Sequence, residues 1–155
     1  MKKLFAVVMS VMLGLMAVSC AGQSAAKNIE GDLSALMAQI YANAEADAPM
    51  TFEAAITDEN EVSMLGLAGV PYTEGLVTEP MISTIPHSMI LLRMNADADI
   101  AKAKADIKAN IDPRKWICVG VEPDQVIVDS IGDLVFVVMS FDAAAYQTGF
   151  QKLAE

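Results

Sequence analysis

The strongest constraint on the fold is the run Leu134-Val135-Phe136-Val137-Val138-Met139, six consecutive apolar residues rich in strand formers. Such a run has no polar face, so it predicts a strand covered on both sides and a layered structure around it. Gly132-Asp133 immediately before it marks a hairpin turn, which makes Gln125–Ser130 the partner strand. Two amphipathic helices are equally legible. The first is capped by Asp32 and carries Leu33, Leu36, Met37, Ile40, Tyr41 and Ala44 at helical spacing, ending by Ala48-Pro49. The second is capped by Asp97, buries Ile100, Ala103, Ile107 and Ile111, and stops at Asp112-Pro113. A closing helix from Asp142 places Tyr146, Phe150 and Leu153 on one side, with Gly149 weakening it by about 1 kcal/mol relative to alanine.

The remaining segments are read from weaker signals. Glu61 to Gly66 alternates enough to be a short strand, and Lys115 to Val121 another. Ser83 to Met94 reads as a long strand, with Ile90, Leu92 and Met94 on one face and Met89 and Leu91 on the other. Between them, Ala68–Ile82 is punctuated by Gly69, Pro71, Gly75 and Pro80 and is expected to be an irregular loop, a length more often functional than not. The expected class is α+β: one domain with a mostly antiparallel sheet of about four or five strands and three helices packed on one face. Regular strand–helix alternation and a Gly-rich strand-to-helix turn are both missing, which argues against a doubly wound nucleotide fold.

The N-terminus is of another kind. Lys2-Lys3 precede an apolar run from Leu4 to Val18 broken only by Ser10 and Gly14. Those fifteen residues rise about 22 Å as a helix, short of the roughly 30 Å hydrocarbon core, so the run reads as a signal peptide. It ends in Ala17-Val18-Ser19-Cys20, which resembles the bacterial lipobox, although Ala17 stands where that pattern prefers leucine. The resemblance implies lipidation of Cys20 as the mature N-terminus; ordinary cleavage after Ser19 or after Ala26 is the alternative. The expected division is 1–19 signal peptide, 20–31 lipidated cysteine and tether, and 32–155 folded domain. Tether residues Ala21 to Gly31 are small and polar and span roughly 18 Å as a flexible coil.

Residues 1–19 hold two of the ten basic residues and none of the twenty acidic ones, so the remaining 136 carry a net charge of −12. That charge excludes nucleic acid as a partner and gives no attraction to an anionic membrane, leaving lipid on Cys20 as the membrane attachment. With Cys20 lipidated, Cys118 has no intrachain disulfide partner, and its apolar neighbours Trp116-Ile117 and Val119 predict a small buried hydrophobe. A redox or nucleophilic role would need an electropositive neighbour.

Catalytic signatures are missing: no Gly-x-Ser-x-Gly elbow, Walker loop, His-Glu-x-x-His helix or Cys-x-x-Cys pair occurs, and neither a metal nor a cofactor is implied. His87 is the sole histidine. It could form a small ligand site under the Ala68–Ile82 loop, which carries Tyr72, Glu74 and Glu79, or be a strand-end histidine satisfied by backbone or water. Arg93 shares the His87 face; it is expected to pair with surface carboxylates near the strand end, the alternative being that it lines a groove with His87. Trp116 reads as core, and Thr57-Asp58-Glu59-Asn60-Glu61 as a solvated turn without calcium-loop spacing.

The lipobox, the helix from Asp32, Ser63-Met64-Leu65-Gly66-Leu67, the Ser83–Met94 strand, the Asp97–Asn110 helix, the Gly132–Ser140 strand and a closing helix occur in this order. This order resembles a family of small lipoproteins of anaerobic Gram-positive bacteria (Firmicutes), a domain of unknown function. The resemblance implies export and anchoring at the outer face of the cytoplasmic membrane. It carries no activity, ligand or site residue. The expected function is a non-catalytic binding or accessory module of the cell envelope acting on a protein, peptide or small molecule. The alternatives are a small envelope enzyme using His87 or Cys118, and a purely structural component.

Overall fold

The computed structural model describes residues 28–155; the leader, Cys20 and the tether through residue 27 lie outside the described residues. The elements run α1 (Leu33–Asn43), β1 (Thr51–Ala55), α2 (Glu61–Leu65), β2 (Tyr72–Pro80), β3 (His87–Met94), α3 (Ile100–Asn110), β4 (Val126–Ile131), β5 (Leu134–Ser140) and α4 (Ala143–Gln151). All four strand pairings are antiparallel, in the order β1-β2-β3-β5-β4. The class is α+β with an open five-stranded sheet. Among the described residues no helix is long and apolar enough to cross a membrane.

Strand β5 is the all-apolar run, and all seven of its residues are buried. Its alternate side chains feed two separate cores. Val135, Val137 and Met139 join Ile90, Leu92, Ala103 and Ile107 under α3, whereas Leu134, Phe136 and Val138 join Met89, Leu91 and the α1 and α4 residues Met37, Ile40, Tyr146 and Phe150. The helices therefore cover both faces of the sheet, not one. A sheet whose inner strands are apolar on both sides leaves no face that water could wet.

Four further expectations are corrected. Glu61–Leu65 is a helix: Glu61 and Leu65 are buried while Val62 is exposed, a four-residue period that six residues of sequence could not separate from alternation. Gly66 ends it in the left-handed region, and the buried Glu61 carboxylate accepts from the Gly69 and Val70 amides at 2.8 and 3.0 Å. The supposed Ala68–Ile82 loop holds β2. Gly75 lies inside it because a Cβ there would sit 3.0 Å from Ile56 Cβ and 3.1 Å from Leu92 Cδ2, and Pro80 takes the last position, opposite Thr51. Lys115–Val121 is a loop, closed on itself by Val121 N–H donating to the Pro113 carbonyl. The second helix is capped by Asp99, whose carboxylate accepts from the Lys102 amide, and not by Asp97. Strand β1, which was not anticipated, forms the sheet edge.

Gly149 has a packing reason. A Cβ there would lie 2.5 Å from the Ile40 carbonyl oxygen and 3.0 Å from the Ala44 amide, so the glycine lets α4 approach the backbone of α1. Gly149→Ala, which would strengthen an isolated helix, is expected to destabilise this protein by about 2 kcal/mol, read as a lowered urea midpoint with an unchanged slope.

Candidate functional site

A carboxylate on the inner face of a sheet must be neutralised or hydrogen-bonded. Glu79 is such a group: it shares its face with Val77, stands opposite Phe52 of β1, and its side chain is only 13% exposed. Its Oε1 accepts from Lys115 Nζ at 2.5 Å and from Ser88 Oγ at 2.6 Å, and its Oε2 from Trp116 Nε1 at 3.3 Å. Lys115 Nζ also donates to Ser88 Oγ at 3.1 Å and lies 3.7 Å from Met64 Sδ. The pair thus pins the 113–121 loop onto the sheet and stands Trp116 up as a wall. Phe52, Ser63, Met64, Pro80 and Ser83 complete an open pocket of about 340 Å³ over the pair. Its walls are aromatic and thioether; its floor is a charge pair whose members are already matched.

The apolar character extends beyond the pocket. Met50, Phe52, Met81, Ile82, Ile85, Ile117 and Phe141 are between 38% and 73% exposed. The Met81 amide donates to the Met50 carbonyl, and the register pairs Thr51 with Pro80 and His87 with Ser140. These side chains therefore gather at the end of the sheet where β3 begins and β5 ends. Strand β1 borders them, hydrogen-bonded to β2 on one side only.

His87 lies on the opposite face of the sheet and is 1% exposed. Its Nε2 is 2.8 Å from the Tyr41 hydroxyl and its Nδ1 3.2 Å from Ser140 Oγ. Thr78 Oγ1 donates to the Met89 carbonyl and Ser140 Oγ accepts from the Asp142 amide, which orients the chain. Ser140 donates to Nδ1, Nε2–H donates to Tyr41, and Tyr41 donates to Thr78, 2.9 Å away. Burial pushes the imidazole down to about 4, so His87 is neutral at pH 7. Burial also raises the phenols around it: Tyr41 is moved up, with Glu53 and Glu79 adding to the effect, and Tyr146 reaches about 12. The ring of Tyr146 stands edge-on to His87 at 5.1 Å.

The five residues grouped from sequence are divided by the sheet. Tyr72 and Glu79 face the α3 side, with a bulge between Tyr72 and Glu74 turning the latter to the other side beside Arg93. Arg93 holds the chain's own backbone: Nη1 donates to the Ile29 carbonyl and Nη2 to the Gly31 carbonyl, both at 2.8 Å. Glu74 and Asp133 flank it at 4.0 and 3.7 Å. Cys118 is exposed, not buried, at a left-handed φ of 68° in the loop that Trp116 anchors. Trp116 itself packs against the α3-side core while reaching Glu79. Lys115 and Ser88 escaped the sequence reading. Ser88 is on the Glu79 face by parity, but nothing in the sequence joins Lys115 to a carboxylate 36 residues away. Among the described residues no three His, Cys, Asp or Glu side chains cluster as a metal site. No family model, curated protein or solved structure matches the chain.

Proposed function

We propose that this chain is a non-catalytic binding module of the bacterial cell envelope, anchored through lipid on Cys20 at the outer face of the cytoplasmic membrane. Its ligand is an extended segment of a partner protein that carries apolar and basic side chains. The observation that carries this reading is the Phe52–Met64–Trp116 pocket beside the free edge of β1. An unpaired strand edge offers main-chain hydrogen bonds, and a neighbouring pocket selects one side chain of an added strand. Exposed Met50 and Met81, with the half-buried Met64, suit variable apolar groups, since thioether chains repack easily. The net charge of −12 beyond residue 19 favours a basic partner at long range. The lipobox-like Ala17-Val18-Ser19-Cys20 and an order of motifs that resembles that of small Firmicutes lipoproteins support the envelope location.

The competing reading, an envelope enzyme using His87 or Cys118, has less support. Both ring nitrogens of His87 are engaged by Tyr41 and Ser140, and Cys118 belongs to a loop on the other side of the sheet.

The test is selection from a displayed library of linear peptides. Recovered peptides are expected to combine apolar and basic residues and to lose at least about tenfold in affinity, roughly 1.4 kcal/mol, towards Phe52→Thr. That variant should melt close to wild type, because Phe52 is already half exposed and threonine suits an edge strand. Selection of no peptide above background, or equal binding to Phe52→Thr, overturns the proposal. Intact mass of the membrane-extracted protein checks the anchor separately: Cys20 must carry a diacylglyceryl group.

A further inference from the structure

The place where the chain enters the domain is built, and it lies at the opposite end of the sheet from the apolar side chains. Arg93 is the next-to-last residue of β3 and pairs with Leu134 at the start of β5. From there its two terminal nitrogens grip the carbonyls of Ile29 and Gly31. A second device acts at the β4–β5 turn. The Asp133 amide donates to Asn28 Oδ1 at 3.2 Å, and Gly132, at φ +56°, is covered by Asn28 so closely that a Cβ would lie 2.4 Å from Oδ1 and 2.9 Å from Asn28 Cα. Residues 28–31 are thereby stapled across the ends of β3, β4 and β5.

We infer that the anchored domain stands on the bilayer with this stapled end down and its apolar end, with Phe52, Trp116 and the β2–β3 turn, turned away from the membrane. The inference rests on the lipid-anchor reading proposed above. Eight residues from Cys20 to Asn28 reach at most about 28 Å. His87 and Arg93 mark the two ends of β3 and are separated by about 20 Å. With the stapled end down the tether can remain coiled; with the apolar end down it must run nearly extended along the whole domain, at a cost in chain entropy.

Electrostatics gives the apolar end no attraction to the bilayer that would offset this cost. Surfaces that insert into anionic bilayers surround their apolar side chains with Lys and Arg. Here Phe52 is followed by Glu53 and Phe141 by Asp142, and Lys115 is committed to Glu79. The consequence for function is direct: the peptide edge of β1 and its pocket are offered to proteins approaching from outside and not to lipid.

The test uses full-length lipidated protein on vesicles of phosphatidylcholine and phosphatidylglycerol. A fluorophore is attached at Ala96→Cys, near the stapled end, or at Ile82→Cys, in the apolar end, each in a Cys118→Ser background. Energy transfer to an acceptor on the lipid headgroups is expected to be at least about threefold stronger from position 96, given the ~20 Å between the ends. Arg93→Gln combined with Asn28→Ala should bring the two signals towards equality while flotation with vesicles persists. Equal or stronger transfer from position 82 in protein that floats overturns the orientation and leaves the anchor standing. Protein that does not float overturns the anchor, and the orientation with it.

Discussion

Lys115→Met is expected to destabilise the domain by about 3 kcal/mol, lowering its melting temperature by roughly 10 °C. The loss is not that of one ion pair's attraction. Glu79 is 13% exposed and would remain on the inner sheet face with only Ser88 and the long Trp116 contact to satisfy it. The decisive comparison is the double variant Glu79→Gln with Lys115→Met, which removes both charges together. Replacing a buried pair as a unit is close to neutral, so the double variant should recover most of the lost stability. Thermal or urea unfolding of the four proteins closes the cycle. A double variant as unstable as the sum of the two singles would mean that the groups act independently and that the pair is not the pin of the loop. Peptide affinity separates stability from site geometry. The double variant should fold yet bind more weakly, since Trp116 is positioned through the backbone next to Lys115 and through its own contact with Glu79.

The sequence made the interior of this fold legible and obscured its edge, for one physical reason. Leu134–Met139, the Ile90-Leu92-Met94 face and the α1 stripe are buried sets whose period is imposed by the core, so pattern and packing agree. Where a residue is chosen for a close approach, the same letters mislead. Gly75 and Pro80 look like loop punctuation, but one admits Ile56 and Leu92 against the strand and the other sits at the strand's last position. Gly149 looks like a helix weakness and is a helix contact. Tertiary demand also decides Cys118: its apolar neighbours suggest burial, yet Trp116 takes the inward position and the tight 113–121 loop turns Cys118 out. Of the candidate residues, Glu79 does line the pocket, but its partners Lys115 and Ser88 come from other segments. Arg93, read as pairing with carboxylates or lining a groove with His87, lies beside Glu74 and Asp133, lines an open groove of about 860 Å³ that does not include His87, and ties down the entering chain.

His87 supplies the second large effect, and its sign follows from burial. The ring is held neutral inside the protein, with its ionisation pushed down to about 4, whereas in the unfolded chain it titrates near 6.5. Between these values the unfolded state binds the proton and the folded state does not. Stability is therefore fully present above pH 6.5, falls as pH drops through that value, and stops falling below about 4. From pH 7.5 to 4.5 the loss assigned to this one group is about 2.5 kcal/mol. Carboxylates also titrate in the lower part of this window, so the measurement is a difference. Urea unfolding of wild type and His87→Gln, whose amide can still donate and accept, is followed at both pH values. The wild type should lose about 2.5 kcal/mol more than the variant over the interval. Parallel curves would mean that the imidazole accepts its proton without opening the domain, and that the Ser140–His87–Tyr41–Thr78 chain is not sealed. A sealed chain has a further consequence for where ligands can act. With the imidazole's donor and acceptor both turned inward, His87 itself offers no free nitrogen to a ligand at the α1 and α4 side of the sheet.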